Sequence, residues 1–255
     1  MDRSKIKIVI TDLDGTLSPS KAAIDGEMSE IICKLISAKD MAVVGGGFYS
    51  QFQKQLIGSL KCPAEKLLRL YLFPTNATAF YRFGESGWYK VYSEDLSEEQ
   101  KKLVYSAFPK ALELAGFKNP EKVYGSQLED RGTQITFSAL GQEAPLELKS
   151  EWDSDQKKRT AIKLQLDKLL RGFEIRLGGT TSIDITKAGI DKAYAISKIT
   201  EIFGYSKDEM LFIGDALYEG GNDYAVKRAG VESIATSGPE ETKAILRDIS
   251  GASEL

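Results

Sequence analysis

Asp12-Leu13-Asp14-Gly15-Thr16-Leu17 is the stretch on which the reading of this chain turns. It follows directly on an apolar run, Ile6 to Ile10, that reads as a strand buried within a parallel sheet. Asp12 and Asp14 therefore stand at the mouth of a central strand, where open α/β sheets hold their ligands. A spacing of two keeps the carboxylates close, and Gly15 lets the chain bend away behind them. Two like charges so near one another repel unless a cation stands between them, so the pair predicts a hard metal such as Mg²⁺. A solvated Asp-Gly turn is the plain alternative, and distant segments of the chain argue against it.

The first of these is Gly214-Asp215-Ala216-Leu217-Tyr218-Glu219-Gly220-Gly221-Asn222-Asp223, which follows a second apolar run, Met210 to Ile213. Two acidic, glycine-containing loops after two buried strands are a natural source of oxygen ligands for one metal. Met41 to Val44 is a further apolar run and ends in Gly45-Gly46-Gly47, ahead of a helix over about Ser50 to Leu60. Bare N–H groups in such a turn can cradle a phosphate.

The remainder of the chain divides by pattern. Met28 to Ala38 has apolar residues at helical spacing, and Leu67 to Val91 alternates and is rich in aromatics. Turns are expected at Pro74-Thr75-Asn76 and from Gly84 to Gly87. Leu96 to Leu114 reads as a helix with a possible break at Pro109, and Gln134 to Phe137 as a strand. Asp155 to Leu170 reads as a helix, and Phe173 to Leu177 and Thr181 to Ile185 as strands joined across Gly178-Gly179. Helix and strand then alternate to the end: Ala193 to Phe203, Met210 to Ile213, Tyr224 to Ala229, Val231 to Ala235 and Pro239 to Ile249. The expectation is a doubly wound α/β core from 1–81 and 188–255, carrying an α+β cap over 82–187.

Composition narrows the chemistry. The 255 residues, 42% hydrophobic and 28% charged with a net charge of −3, fit a globular protein and offer no basic stripe for nucleic acid. The absence of histidine excludes Ser-His and Cys-His nucleophile systems and histidine metal sites, leaving carboxylates and lysine to carry protons. Two isolated cysteines, Cys33 and Cys62, suggest neither a disulfide scaffold nor a zinc site. Residues 1–5 are charged and no apolar run reaches about 18 residues, so neither a signal peptide nor a membrane span is expected, and the location expected is cytoplasmic.

D-L-D-G-T-L resembles motif I of the haloacid dehalogenase superfamily, D-x-D-G-T-[LV], whose members are mostly Mg²⁺-dependent phosphatases and phosphomutases. The resemblance implies that Asp12 is the nucleophile and Asp14 the acid/base, both also serving the metal. The segment from Gly214 resembles motif IV. It implies Asp215 as a metal ligand, Asn222 in or near the metal shell, and Asp223 orienting the catalytic lysine or a metal-bound water. Ile190-Asp191-Lys192 resembles motif III and implies that Lys192 pairs with the nucleophile. Ser18-Pro19-Ser20-Lys21, Arg131 to Phe137 and Gly178 to Asp184 resemble stretches of eukaryotic-type phosphomannomutases. By that resemblance Lys21, Gly45, Gly46, Ser182 and Asp184 contact substrate.

The chain departs from the pattern at two places. Motif II normally ends in a Ser or Thr hydroxyl, but here Val44 is followed by three glycines and Phe48. Backbone N–H groups or Ser50 would have to hold the phosphate. Of three cap arginines that grip the phosphate not being transferred, the first falls on Ser138, the second near Lys149 and the third in Gln156 to Arg159. The resulting expectation is a Mg²⁺-dependent phosphatase of a small phosphate ester, of the sugar phosphate class, acting as a monomer or as a homodimer through the cap. A phosphomannomutase and a catalytically weak binding protein on the same fold are the alternatives.

Overall fold

The structure is a computed structural model, which describes residues 3–178 and 180–251. Its strands, in chain order, are β1 (Ile8–Thr11), β2 (Asp40–Val44), β3 (Leu70–Phe73), β4 (Ala79–Gly84), β5 (Gly87–Ser93), β6 (Leu128–Asp130), β7 (Gln134–Ser138), β8 (Phe173–Gly178), β9 (Ser182–Lys187), β10 (Met210–Gly214) and β11 (Glu232–Ala235). They form two sheets in two compact units, one of residues 1–93 with 190–255 and one of residues 94–189.

The larger unit holds a seven-stranded sheet in the order β11-β10-β1-β2-β3-β4-β5. Strands β11 to β3 run parallel, and in β10, β1, β2 and β3 the near-continuous apolar sequences reflect burial on both faces, whereas the edge strand β11 is partly exposed. Strand β1 lies between β2 and β10, so the chain leaves it in one direction and later returns on the other side. That reversal opens a crevice at the carboxyl end of β1, and Asp12 is the first residue beyond it. Apolar side chains cover both faces: Val9, Met41, Leu72 and Leu211 on one, and Ile8, Ile10, Ala42 and Phe212 on the other.

The smaller unit is a four-stranded antiparallel sheet, β6-β7-β9-β8. Its inward residues Ile135, Phe137, Ile175, Ile183 and Ile185 pack on Val104, Phe108, Ile162 and Leu166 of two helices, Glu98–Leu114 and Lys157–Leu169. The first helix runs unbroken through Pro109. Pro109 and Tyr105, whose carbonyl loses its N–H partner, are both exposed, so water can satisfy the freed oxygen. A short helix at Leu146–Trp152 and strand β6 lie in stretches whose sequence carries no clear period.

Several expectations are corrected. The hairpin β4–β5 was expected, from residue 82 on, to open the cap, yet it pairs with β3 and completes the core sheet. Alternation marks an antiparallel hairpin but does not say which sheet it joins. The junctions fall accordingly at 93/94 and 189/190. Pro74-Thr75-Asn76 is no simple turn: Thr75, Asn76 and Ala77 all have positive φ and are held against the glycine turn, with Thr75 N–H donating to Gly47 O and Asn76 N–H to Gly45 O. Cys33 and Cys62 form a disulfide with Cα atoms 5.4 Å apart, although 29 positions separate them. The loop bearing Cys62 lies on the helix Gly26–Leu35, where Lys61 N–H donates to Ser29 Oγ at 2.9 Å. Gly179, part of the expected β8–β9 connection, lies outside the described residues. Among the described residues no helix is long and apolar enough to cross a membrane.

Candidate active site

Four segments of the larger unit meet at the carboxyl end of β1. Asp12 is almost fully buried there, its N–H donating to Ile213 O and its Oδ1 accepting from the N–H of Leu13 at 2.7 Å. Lys192 is the first residue of the helix Lys192–Phe203, capped by Asp191. Its buried ammonium sits between Asp12 Oδ2, 2.9 Å away, and Asp223, with which it makes a short ion pair. Asp223 is further fixed by the N–H of Ala216 at 3.0 Å. Burial raises the Asp12 carboxyl to about 6, and the negative charge of Asp223 adds to this, while Lys192 pulls the other way. Burial alone would lower Lys192, but the two carboxylates outweigh it and the ammonium is held above its ordinary range.

Asp12, Asp215 and Asp223 each turn one oxygen inward, all within 4.8 Å of one another. Asp215 is brought in across Gly15, where a Cβ would stand 2.5 Å from Asp215 Oδ2. Glycine also accommodates the φ of +79° there. Asp215 accepts from Thr16 Oγ1 at 3.3 Å. A cluster of hard oxygen donors, with one carboxylate exposed, suits Mg²⁺, which binds through a few carboxylates and keeps its remaining waters.

Asp14 does not join this cluster, although it was expected among the metal residues. Its Oδ1 accepts from Gln55 Nε2 at 2.8 Å and from the N–H of Lys21 at 2.7 Å, and its Oδ2 from Gln51 Nε2 at 2.6 Å. The two carboxylates thus have separate partners, Asp12 with Leu13 and Lys192 and Asp14 with Lys21, Gln51 and Gln55. The contribution of Lys21 is thus its backbone N–H, while its side chain is exposed. Asn222 is exposed, and its side chain makes no hydrogen bond among the described residues.

The glycine turn borders Asp12: a Cβ at Gly45 would stand 3.7 Å from Asp12 Oδ1. The N–H of Gly45 is committed to Phe73 O, whereas those of Gly46 and Gly47 donate to no acceptor among the described residues. Ser50 is exposed on the helix Tyr49–Gln55. Gln51 and Gln55 were missed by the sequence reading. Their signal was an amide pair at i, i+4 on one face of the helix that follows the glycine turn.

A profile of the eukaryotic phosphomannomutase family matches residues 28–251. The chain belongs to that family. A Schizosaccharomyces pombe phosphomannomutase is 30% identical over 86% of this chain and 84% of its own length. Phosphomannomutase 1 of Mus musculus is 30% identical over 88% and 84%. A haloacid dehalogenase-like hydrolase from Bacteroides thetaiotaomicron superposes with a TM-score of 0.66 at 16% identity, covering 96% of this chain and 99% of its own. The chain is accordingly a phosphomannomutase-like member of the haloacid dehalogenase superfamily.

Within the smaller unit, the residues at the family's expected anion and sugar positions are engaged locally. Ser138 is buried, its hydroxyl hydrogen-bonded to Gly141 O at 3.0 Å and to Thr181 Oγ1 at 3.2 Å. Lys149 Nζ donates to Gln142 O at 2.8 Å. Arg159, which could have stood in for the third arginine, is 2% exposed and pairs with Asp153 at 2.8 Å, with a further bond to Gly178 O at 3.2 Å. Ser182 lies opposite Ser138, and Asp184 opposite Thr136, whose hydroxyl donates to it at 2.8 Å. Burial raises the Asp184 carboxyl, against the pull of that hydroxyl and of the arginines Arg131 and Arg176.

Proposed function

We propose that this chain transfers the phosphoryl group of a small phosphorylated sugar through Asp12 and delivers it to water. The observation that carries the first half is the pairing of Asp12 with buried Lys192 at 2.9 Å, beside the carboxylates of Asp215 and Asp223. Phosphoryl transfer asks a protein mainly for positioning and for compensation of charge, and this cluster offers both. Asp12 attacks phosphorus, and the Oδ–P bond forms as the P–O bond to the sugar breaks. Asp14 supplies the proton taken up by the departing oxygen. Asp14 then accepts the proton of the incoming hydroxyl, whose oxygen takes the phosphorus and returns Asp12 as a carboxylate. Lys192 balances the charge on Asp12 throughout, and the N–H groups of Gly46 and Gly47 receive the phosphoryl oxygens. Asp12, Asp215 and Asp223 would hold Mg²⁺, which would supply further positive charge to the transferring phosphoryl group.

Hydrolysis is favoured by the smaller unit. A mutase retains a doubly phosphorylated intermediate, and each phosphate needs a strong anchor, for which bidentate arginine is suited. Ser138, Lys149 and Arg159 are each bound to groups of their own unit. The second reading is a phosphomannomutase, and family membership favours it over a generic phosphatase. A ³¹P NMR time course with mannose 1-phosphate, Mg²⁺ and a hexose 1,6-bisphosphate separates the two. Growth of inorganic phosphate is the expected result. Clean conversion to the 6-phosphate refutes hydrolysis, and no turnover of any phosphate ester refutes both readings.

A further inference from the structure

The glycine turn lacks a hydroxyl, yet the space where one would begin is filled. A Cβ on Gly47 would stand 2.0 Å from Oε1 of Gln51, 2.5 Å from its Cδ and 3.1 Å from its Nε2. These are the atoms of one carboxamide, so the end of the Gln51 side chain occupies the volume into which any side chain at position 47 would project. The same carboxamide reaches Asp14, donating from Nε2 to Oδ2 at 2.6 Å. Gln55, 2% exposed, holds the other oxygen from the next turn of the helix and is itself steadied by a bond to Ala22 O at 3.1 Å.

We infer that Gln51 is a positioning residue for Asp14, and that it takes the place of a side chain at position 47. The turn then carries either a hydroxyl at 47 or an amide clamp on Asp14, but not both. The inference rests on Asp14 being the acid/base, as proposed above. Three N–H donors, one from Gln51, one from Gln55 and one from the backbone of Lys21, grip the two oxygens of Asp14 from different directions. A carboxylate so held keeps one orientation, which matters because proton transfer tolerates only a narrow range of donor–acceptor distance. Gln51 is the sole donor to Oδ2 among the described residues. Its loss leaves Gln55 and Lys21 on Oδ1, and the carboxylate free to turn about that oxygen.

The effect belongs to proton transfer, so it should depend on the leaving group. An alkyl phosphate needs a proton on its departing oxygen, whereas p-nitrophenyl phosphate does not. In Gln51→Ala, kcat/KM for a hexose phosphate is expected to fall about 10- to 100-fold, the usual consequence of losing a hydrogen bond to a charged group. For p-nitrophenyl phosphate it should change by less than about 3-fold. Gly47→Ser should reproduce this pattern by expelling the carboxamide, and the double variant should be no worse than either single one. The side-chain ¹⁵N–¹H₂ signals of Gln51, identified by their disappearance in Gln51→Ala, give a readout without turnover. They should move in Gly47→Ser and in Asp14→Asn. Equal losses for the two esters, additive losses in the double variant, or unmoved amide signals in Gly47→Ser would each overturn the inference. A wild-type protein inactive on every ester removes the acid/base reading, and the amide signals still decide whether Gln51 and a side chain at 47 exclude one another.

Discussion

Replacing Lys192 by methionine keeps much of the volume of the side chain and deletes its charge. The ammonium is 1% exposed and touches both Asp12 and Asp223, so the variant leaves two buried carboxylates with no cation between them. Removing one partner of a buried ion pair costs about 3–5 kcal/mol, because the other partner stays desolvated. In a transition state that adds phosphoryl charge at the same point, that loss corresponds to about 10²- to 10⁴-fold in kcat/KM. A second effect has the same sign. Lys192 is the main group restraining the Asp12 carboxyl, already raised to about 6 by burial, so without it Asp12 binds its proton more tightly and is less available as a nucleophile. The assay is kcat/KM on a phosphate ester at saturating Mg²⁺ between pH 5 and 9, with urea unfolding of both proteins at each pH. The stability deficit of the variant should widen as pH rises through 6, where the unpaired Asp12 must ionise in the folded state. A loss of less than tenfold in kcat/KM, with a deficit that does not vary with pH, would show that Lys192 does not compensate Asp12.

In chelator, the wild-type protein should lose about 3 kcal/mol of stability between pH 4 and pH 7 from Asp12 alone. Its carboxyl rises from 3.8 to about 6, the folded state holds the proton more tightly, and stability falls as pH climbs through that window. Asp12→Asn should remove that fall and abolish turnover, and parallel pH profiles of unfolding would contradict it. Asp215→Asn should weaken Mg²⁺ binding about tenfold or more in isothermal titration while leaving the unfolding midpoint in chelator unchanged, since the carboxylate is exposed. Cys33→Ser, or a reductant, should destabilise the fold by about 3–4 kcal/mol, the loop-closure value for a bridge across 29 positions. A denaturation curve insensitive to reductant would mean that the bridge does not form.

The parts of the candidate site that lie at strand ends were legible from the apolar runs that precede them. Asp12 and Asp215 follow apolar runs, and a parallel strand buried on both faces must end in a turn at the sheet edge. Lys192, by contrast, has nothing in its local sequence to set it apart from a surface lysine such as Lys187 or Lys198. The resemblance to motif III singled it out, and only the placement of the helix Lys192–Phe203 carries it between two carboxylates. The spacing of Asp12 and Asp14 suggested a shared cation because it fixes the distance along the chain but not the direction of each side chain. The helix Tyr49–Gln55, packed beside the loop, supplied Gln51 and Gln55 as the partners of Asp14.

Local patterning was enough for the α/β class, the order of the core strands and the loops that follow β1, β2 and β10. Each of these is written in a local period or in a short run of residues. Tertiary structure alone decided the sheet that takes β4 and β5, the pairing of Cys33 with Cys62, and the engagement of Ser138, Lys149 and Arg159 within the smaller unit. These depend on contacts between residues far apart in the chain, which arise when apolar faces pack and leave no local trace in the residues that meet.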